Sequence, residues 1–137
     1  MSTEEHKAVV RRFYEEAFNQ GQVAVLDDLL APEYRDFGAT PAREGIEAAK
    51  ANLLGLQAGF DQIRFDIKDL LAEGDRVAVR WTGRMLHARE FFGFPATQQT
   101  VTFSGISIYV LQAGRLLETY PAQDLHGLLQ QLGGHRS

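Results

Sequence analysis

Apolar positions in the first third of the chain recur at helical spacing. From Glu4 to Asn19 they fall at Val9/Val10, Phe13/Tyr14 and Ala17/Phe18, one face of an amphipathic helix that Gly21 ends. A short second helix is expected through Val25, Leu26, Leu29 and Leu30, stopped by Pro32. The stretch Tyr34–Pro41 reads as a short extended piece and a loop. Ile46, Ala49, Leu53, Leu56 and Phe60 then mark a third helix, from Arg43 to Ala58.

After Asp61 the period changes to two. Ile63, Phe65 and Ile67 alternate with polar residues, and so do Val77, Val79 and Trp81, with the tight-turn composition Glu73-Gly74-Asp75 between the two runs. A third long strand runs from Gln99 to Leu111, with Val101 and Phe103 in one phase and Ile106, Ile108 and Val110 in the other. Gly105 stands between the phases, the pattern of a bulge or sharp bend. Ala113-Gly114 turns the chain into a last strand, Leu116 to Gln123. A terminal helix carrying Leu125, Leu128, Leu129 and Leu132 ends at Gly133-Gly134. Helices first and a meander of strands afterwards predict an α+β fold. In it, a curved antiparallel sheet packs on the helices and encloses a pocket, the whole of 1–137 forming one domain.

Composition narrows the chemistry. The 137 residues include no cysteine, so disulfides, thiolate metal sites and a cysteine nucleophile are all excluded, and a reducing compartment such as the cytoplasm fits. The acidic start resembles no signal peptide, and no apolar run has the roughly 20 residues of a membrane span. A net charge of −4 with scattered bases argues against a nucleic-acid surface. No HExxH, GxSxG or phosphate-loop motif is present. No two histidines have ligand spacing, so no metal is expected. What remains is acid/base work by a carboxylate, histidine or tyrosine.

Asp124 stands out at the end of the last strand, on the same side as Tyr120 and Ala122 if that strand stays extended. Two readings fit it: a carboxyl whose pKa burial would raise, suited to proton transfer, or the N-cap of the terminal helix. His87, beside the aromatic loop Phe91–Phe94, either faces a pocket mouth or closes a strand end. His6, His126 and His135 read as solvated. Tyr14, Tyr34, Trp81 and Phe92 either line an apolar ligand pocket or belong to the core. Arg80 is either a surface base or an inward polar group. Apolar residues on both sides of the Val101–Val110 strand suggest that one face is a homodimer interface.

The stretches VVRRFYEEAFNQGQVAVLDDLLAPEY, VAVRWTGRMLHAREFFGFPATQQ, VTFSGISIYVLQAGRLLETY and DLHGLLQQLG resemble, in order and over nearly the whole chain, the SnoaL-like polyketide cyclases of the nuclear-transport-factor-2-like superfamily. The resemblance implies a cone of helices on a highly curved sheet. It also implies cofactor-free, aldol-type ring closure on a small apolar carbonyl or polyketide-like compound. Asp124 matches the family's acid/base aspartate, and His87 a histidine common after the tryptophan strand. In an enzyme of this kind His87 and Tyr120 would help to place the substrate's carbonyl oxygen. Phe37 in YRDFG replaces a common histidine, and Tyr120-Pro121 a common tryptophan. Both make the implied pocket less polar or differently shaped.

Overall fold

The first helix begins where two polar side chains satisfy its free amides. In the computed structural model, which describes residues 1–134, Ser2 Oγ accepts from the Glu5 amide at 3.1 Å and Glu5 Oε1 from the Ser2 amide at 3.0 Å. Helix α1 (Thr3–Arg12) continues as a π-helical stretch, Phe13–Asn19. Its apolar face buries Val10, Phe13, Tyr14 and Ala17 against the sheet. Asn19 ends the stretch and pairs both ways with the main chain of Phe65, donating at 2.9 Å and accepting at 2.7 Å. The strand that holds Phe65 is the free edge of the sheet, so this amide covers groups that would otherwise invite another strand.

A short helix α2 (Leu26–Leu29) leads directly into β1 (Leu30–Asp36). The second helix therefore stops before Leu30, and Pro32 lies inside an extended strand. Arg43–Glu44 forms a two-residue strand β2 rather than the first turn of the next helix; α3 runs Ile46–Gly59. The remaining elements are β3 (Phe60–Glu73), β4 (Arg76–His87), β5 (Thr100–Gln112), β6 (Arg115–Gln123) and α4 (Leu125–Leu129), followed by a last turn, Gln130–Gly134. Six strands lie in the order β2-β1-β6-β5-β4-β3. Neighbours are antiparallel except β1 and β6, which run parallel, so the α+β fold has a mixed sheet.

Along β4 and β5 every second residue faces inward: Val77, Val79, Trp81, Met85 and His87, then Val101, Phe103, Ser107 and Tyr109. The bulge expected at Gly105 is absent. Pairing from Arg76↔Val110 to Leu86↔Thr100 is continuous through it. Gly105 is instead a close approach: a Cβ there would lie 2.5 Å from Trp81 Cζ2 and 2.7 Å from the Ala122 carbonyl oxygen. The apparent slip of phase reflects an apolar outer face, where Ile106 and Ile108 are exposed beside Tyr120.

His6 is buried rather than solvated, its Nδ1 3.0 Å from the Gly74 carbonyl, and so ties α1 to the β3–β4 turn. His126 is exposed, and His135 lies outside the described residues. Arg80 is a surface base, 2.6 Å from Asp69. Among the described residues no helix is long and apolar enough to cross a membrane.

Candidate functional site

Between the helices and the inner face of the sheet lies a cavity of about 700 Å³. Its walls are mostly aromatic and aliphatic. Phe65, Trp81 and Phe103 meet edge to face, with ring centroids 5.3–5.7 Å apart. Leu53 and Leu56 of α3 and Leu128 and Leu129 of the C-terminal segment complete the apolar lining.

Hydroxyl groups are set into this apolar wall. The Tyr14 and Tyr109 hydroxyls share a hydrogen bond of 2.6 Å, and those of Tyr34 and Thr119 another of 2.6 Å. Trp81 Nε1 donates to Ser107 Oγ at 3.1 Å. Each hydroxyl pair uses one O–H as donor and leaves the other hydrogen to a further acceptor. Burial raises the pKa of all three phenols: Tyr14 to about 12, with Tyr34 and Tyr109 also pushed up. At neutral pH they are therefore neutral donors.

The sign of the matching stability effect follows. Unfolded tyrosines ionise near pH 10, whereas folded Tyr14 holds its proton to about pH 12. The stabilisation is complete below about pH 10 and is lost as pH rises through the folded value. Tyr14 alone accounts for on the order of 2–3 kcal/mol of that loss. Urea unfolding at pH 8, 10 and 11.5 is expected to give a falling midpoint, with most of the drop above pH 10. A flat midpoint would contradict buried neutral phenols.

Charged groups lie on the cavity wall as well. Asp36 follows Tyr34 by two residues on β1, so both side chains take the same side of the strand. Its Oδ1 accepts from the Gly38 amide at 2.8 Å, and its Oδ2 lies 3.2 Å from Arg43 Nη1. That ion pair bridges β1 and β2. Asp36 also acts on one of the phenols, Tyr34. After burial, its charge helps to raise the Tyr34 pKa, which Arg43 opposes. Glu90, Asn52 and Gln123 are the other polar side chains of the lining.

Of the residues singled out from the sequence, Tyr14, Tyr34, Trp81 and Phe92 line the cavity. Asp124, His87 and Tyr120 do not. On β6 (Arg115–Gln123) the cavity-lining residues are Thr119, Pro121 and Gln123, so Tyr120 and Ala122 share the outer side, and Asp124 lies beyond the strand's end. Asp124 is exposed and caps α4, its Oδ1 accepting from the Gly127 amide at 2.9 Å. Tyr120 stacks on Phe37, with centroids 4.7 Å apart and rings 2° from parallel. His87 is fully buried at the end of β4, where its Nδ1 meets Thr97 Oγ1 at 3.1 Å and accepts from the Thr97 amide at 3.3 Å. Asp36, which sequence reasoning did not single out, also lines the cavity, and its i, i+2 spacing from Tyr34 carries that placement.

A helical layer over a six-stranded mixed sheet, with a hydroxyl-lined apolar cavity between them, defines a cone-shaped α+β fold. The sequence model of the SnoaL-like polyketide cyclases matches residues 8–132, and the chain belongs to that family. Solved structures agree. TsrD from Streptomyces laurentii is 26% identical, with a TM-score of 0.88 and 97% of this chain covering 98% of that one. A candidate polyketide cyclase from Acidithiobacillus ferrooxidans is 30% identical, with a TM-score of 0.86 and coverage of 99% and 100%. IdmH from Streptomyces antibioticus, another candidate polyketide cyclase, is 27% identical, with a TM-score of 0.79 and coverage of 93% and 98%. No curated protein matches the chain.

Proposed function

We propose that this protein is a cofactor-independent acid–base catalyst of intramolecular aldol-type ring closure or isomerisation on a small, apolar, polyketide-like carbonyl compound. The observation that carries the reading is the pairing of hydroxyl donors with a carboxylate in one apolar cavity. Asp36 takes a proton from a carbon next to a carbonyl. The enolate oxygen that forms accepts a hydrogen bond from the hydroxyl hydrogen that a pair leaves over, a donor that bears no charge to neutralise. The enolate carbon then attacks a second carbonyl of the same molecule, and Asp36 returns its proton to the alkoxide. The aromatic walls hold the two ends together, which supplies part of the barrier lowering as orientation.

In this reading Asp124 caps a helix and His87 and Tyr120 stay outside the chemistry. The family resemblance favours Asp124 instead, and the two aspartates are separable by substitution. A panel of linear β-polyketone esters, followed by mass spectrometry, tests the activity. The expected product has the substrate's mass, or that mass less one water, and forms faster with protein than with the Asp36→Asn variant. Equal rates with both would overturn the reading.

We also propose a homodimer through the outer face of β5 and β6, because Ile106, Ile108 and Tyr120 are 52%, 41% and 41% exposed there as one patch. Light scattering is expected to give twice the chain's 15.3 kDa. A mass of one chain would count against it.

A further inference from the structure

The aromatic loop between β4 and β5 has a fixed base and an exposed tip. At its base, His87 bonds the main chain of Gln99 and Gln98 as well as Thr97. At its tip, Phe91 and Phe94 exchange two main-chain hydrogen bonds of 3.0 and 2.9 Å around Phe92 and Gly93. Both central residues have positive φ, +48° and +82°. That is the backbone of a two-residue hairpin turn whose first position ordinarily holds Asn, Asp or Gly. A phenylalanine there sits in a sparsely allowed region, and such outliers persist where their surroundings hold them and point to function.

The surroundings do hold it. Glu90 Oε1 accepts from the Gly93 amide at 2.8 Å. Phe91 is seated on Phe60, with centroids 4.7 Å apart, and against Gly59, where a Cβ would come 2.8 Å from Phe91 Cδ1. The Phe92 ring gains little from this packing. It is 81% exposed, touching Phe91 edge to face at 4.5 Å, and yet it belongs to the cavity lining. A large apolar ring is thus held in an unfavourable backbone, at the edge of an apolar cavity, with most of its surface in water.

We propose that Phe92 is the lid of the cavity: its ring closes over a bound apolar ligand and is buried only in the complex. This rests on the reading of the cavity as a ligand site. The turn can stay fixed while the ring swings about its side-chain torsions, so closure needs no rearrangement of the loop. Burial of the ring then slows release of the ligand, while the cavity's hydroxyls orient it.

The backbone makes the test sharp, because the residue that suits the turn is the one that removes the lid. Phe92→Asn fits positive φ, so thermal stability is expected to match or exceed that of the parent chain. The fluorescent neutral probe N-phenyl-1-naphthylamine, dissociating in stopped flow, is expected to leave Phe92→Asn about tenfold faster, as loss of one buried ring predicts. Phe92→Ala should release the probe as fast and melt lower than Phe92→Asn. Ala49→Trp fills the cavity and should abolish binding. Unchanged release from Phe92→Asn, with Ala49→Trp blocking the probe, overturns the lid alone. Binding that survives Ala49→Trp, or no binding by the parent chain, overturns the cavity reading and the lid with it.

Discussion

Asp36→Asn is expected to lower turnover of a ring-closing substrate by about 10³-fold, within the range that positioned acid–base groups contribute. The amide keeps the shape of the carboxylate and an oxygen that the Gly38 amide can reach, but it takes no proton. The ion pair to Arg43 is lost as well. The Arg43 side chain is 40% exposed, so that loss should cost no more than about 1 kcal/mol of stability. Asp124→Asn is the matched comparison. Asparagine caps a helix as well as aspartate does, so both stability and turnover should stay close to the parent values. Asp124→Ala should lose about 1 kcal/mol of stability and little activity. Loss of turnover in Asp124→Asn with retention in Asp36→Asn would reverse the assignment and restore the aspartate that the family resemblance implies.

Gly105→Val is the second large effect. The close approach at this glycine involves a ring and a carbonyl oxygen of the neighbouring strand, and the carbonyl has no rotamer to change. Relief must come from spreading β5 and β6 or from tilting the Trp81 indole away from Ser107, into the cavity. Overpacking of this kind costs about 3 kcal/mol at the upper end of its usual range. For a domain of this size that is roughly 10 °C in Tm. Thermal unfolding followed by tryptophan fluorescence reads both effects, because Trp81 is the chain's one tryptophan. A Tm within about 2 °C of the parent, with unchanged emission, would contradict the packing described for β5.

Much of this architecture is legible in the sequence, for physical reasons that also explain where reading stops. The α1 face and the inward residues of β4 follow from periods of 3.6 and 2, because each buries one side against an apolar layer. On β5 the same logic misleads. Its outer face is apolar too, so Ile106 and Ile108 read as a change of phase at Gly105, although the pairing with β4 passes through it without a slip. On β6 the two-residue period pairs Tyr120 with Ala122 but does not tell inside from outside, and the strand ends at Gln123, before Asp124. Thr119, Pro121 and Gln123 look no more buried than their neighbours until Tyr34 supplies a partner for Thr119 from 85 residues away. The Tyr14–Tyr109 pair spans 95 residues and is likewise invisible to local pattern. Asp36 needed only its two-residue spacing from Tyr34, a strand signal hidden in a segment read as half loop.

The central claim is that the hydroxyl-studded cavity, rather than the outer face of the sheet, is the working site. Titration with 1-tetralone, a neutral aromatic ketone, followed by NMR of the Trp81 indole N–H and of isoleucine and leucine methyl groups, tests it most directly. The predicted result is movement of the Trp81, Leu53 and Leu128 signals while Ile106 and Ile108 stay in place. Shifts at Ile106 and Ile108 with the Trp81 signal unmoved would contradict it.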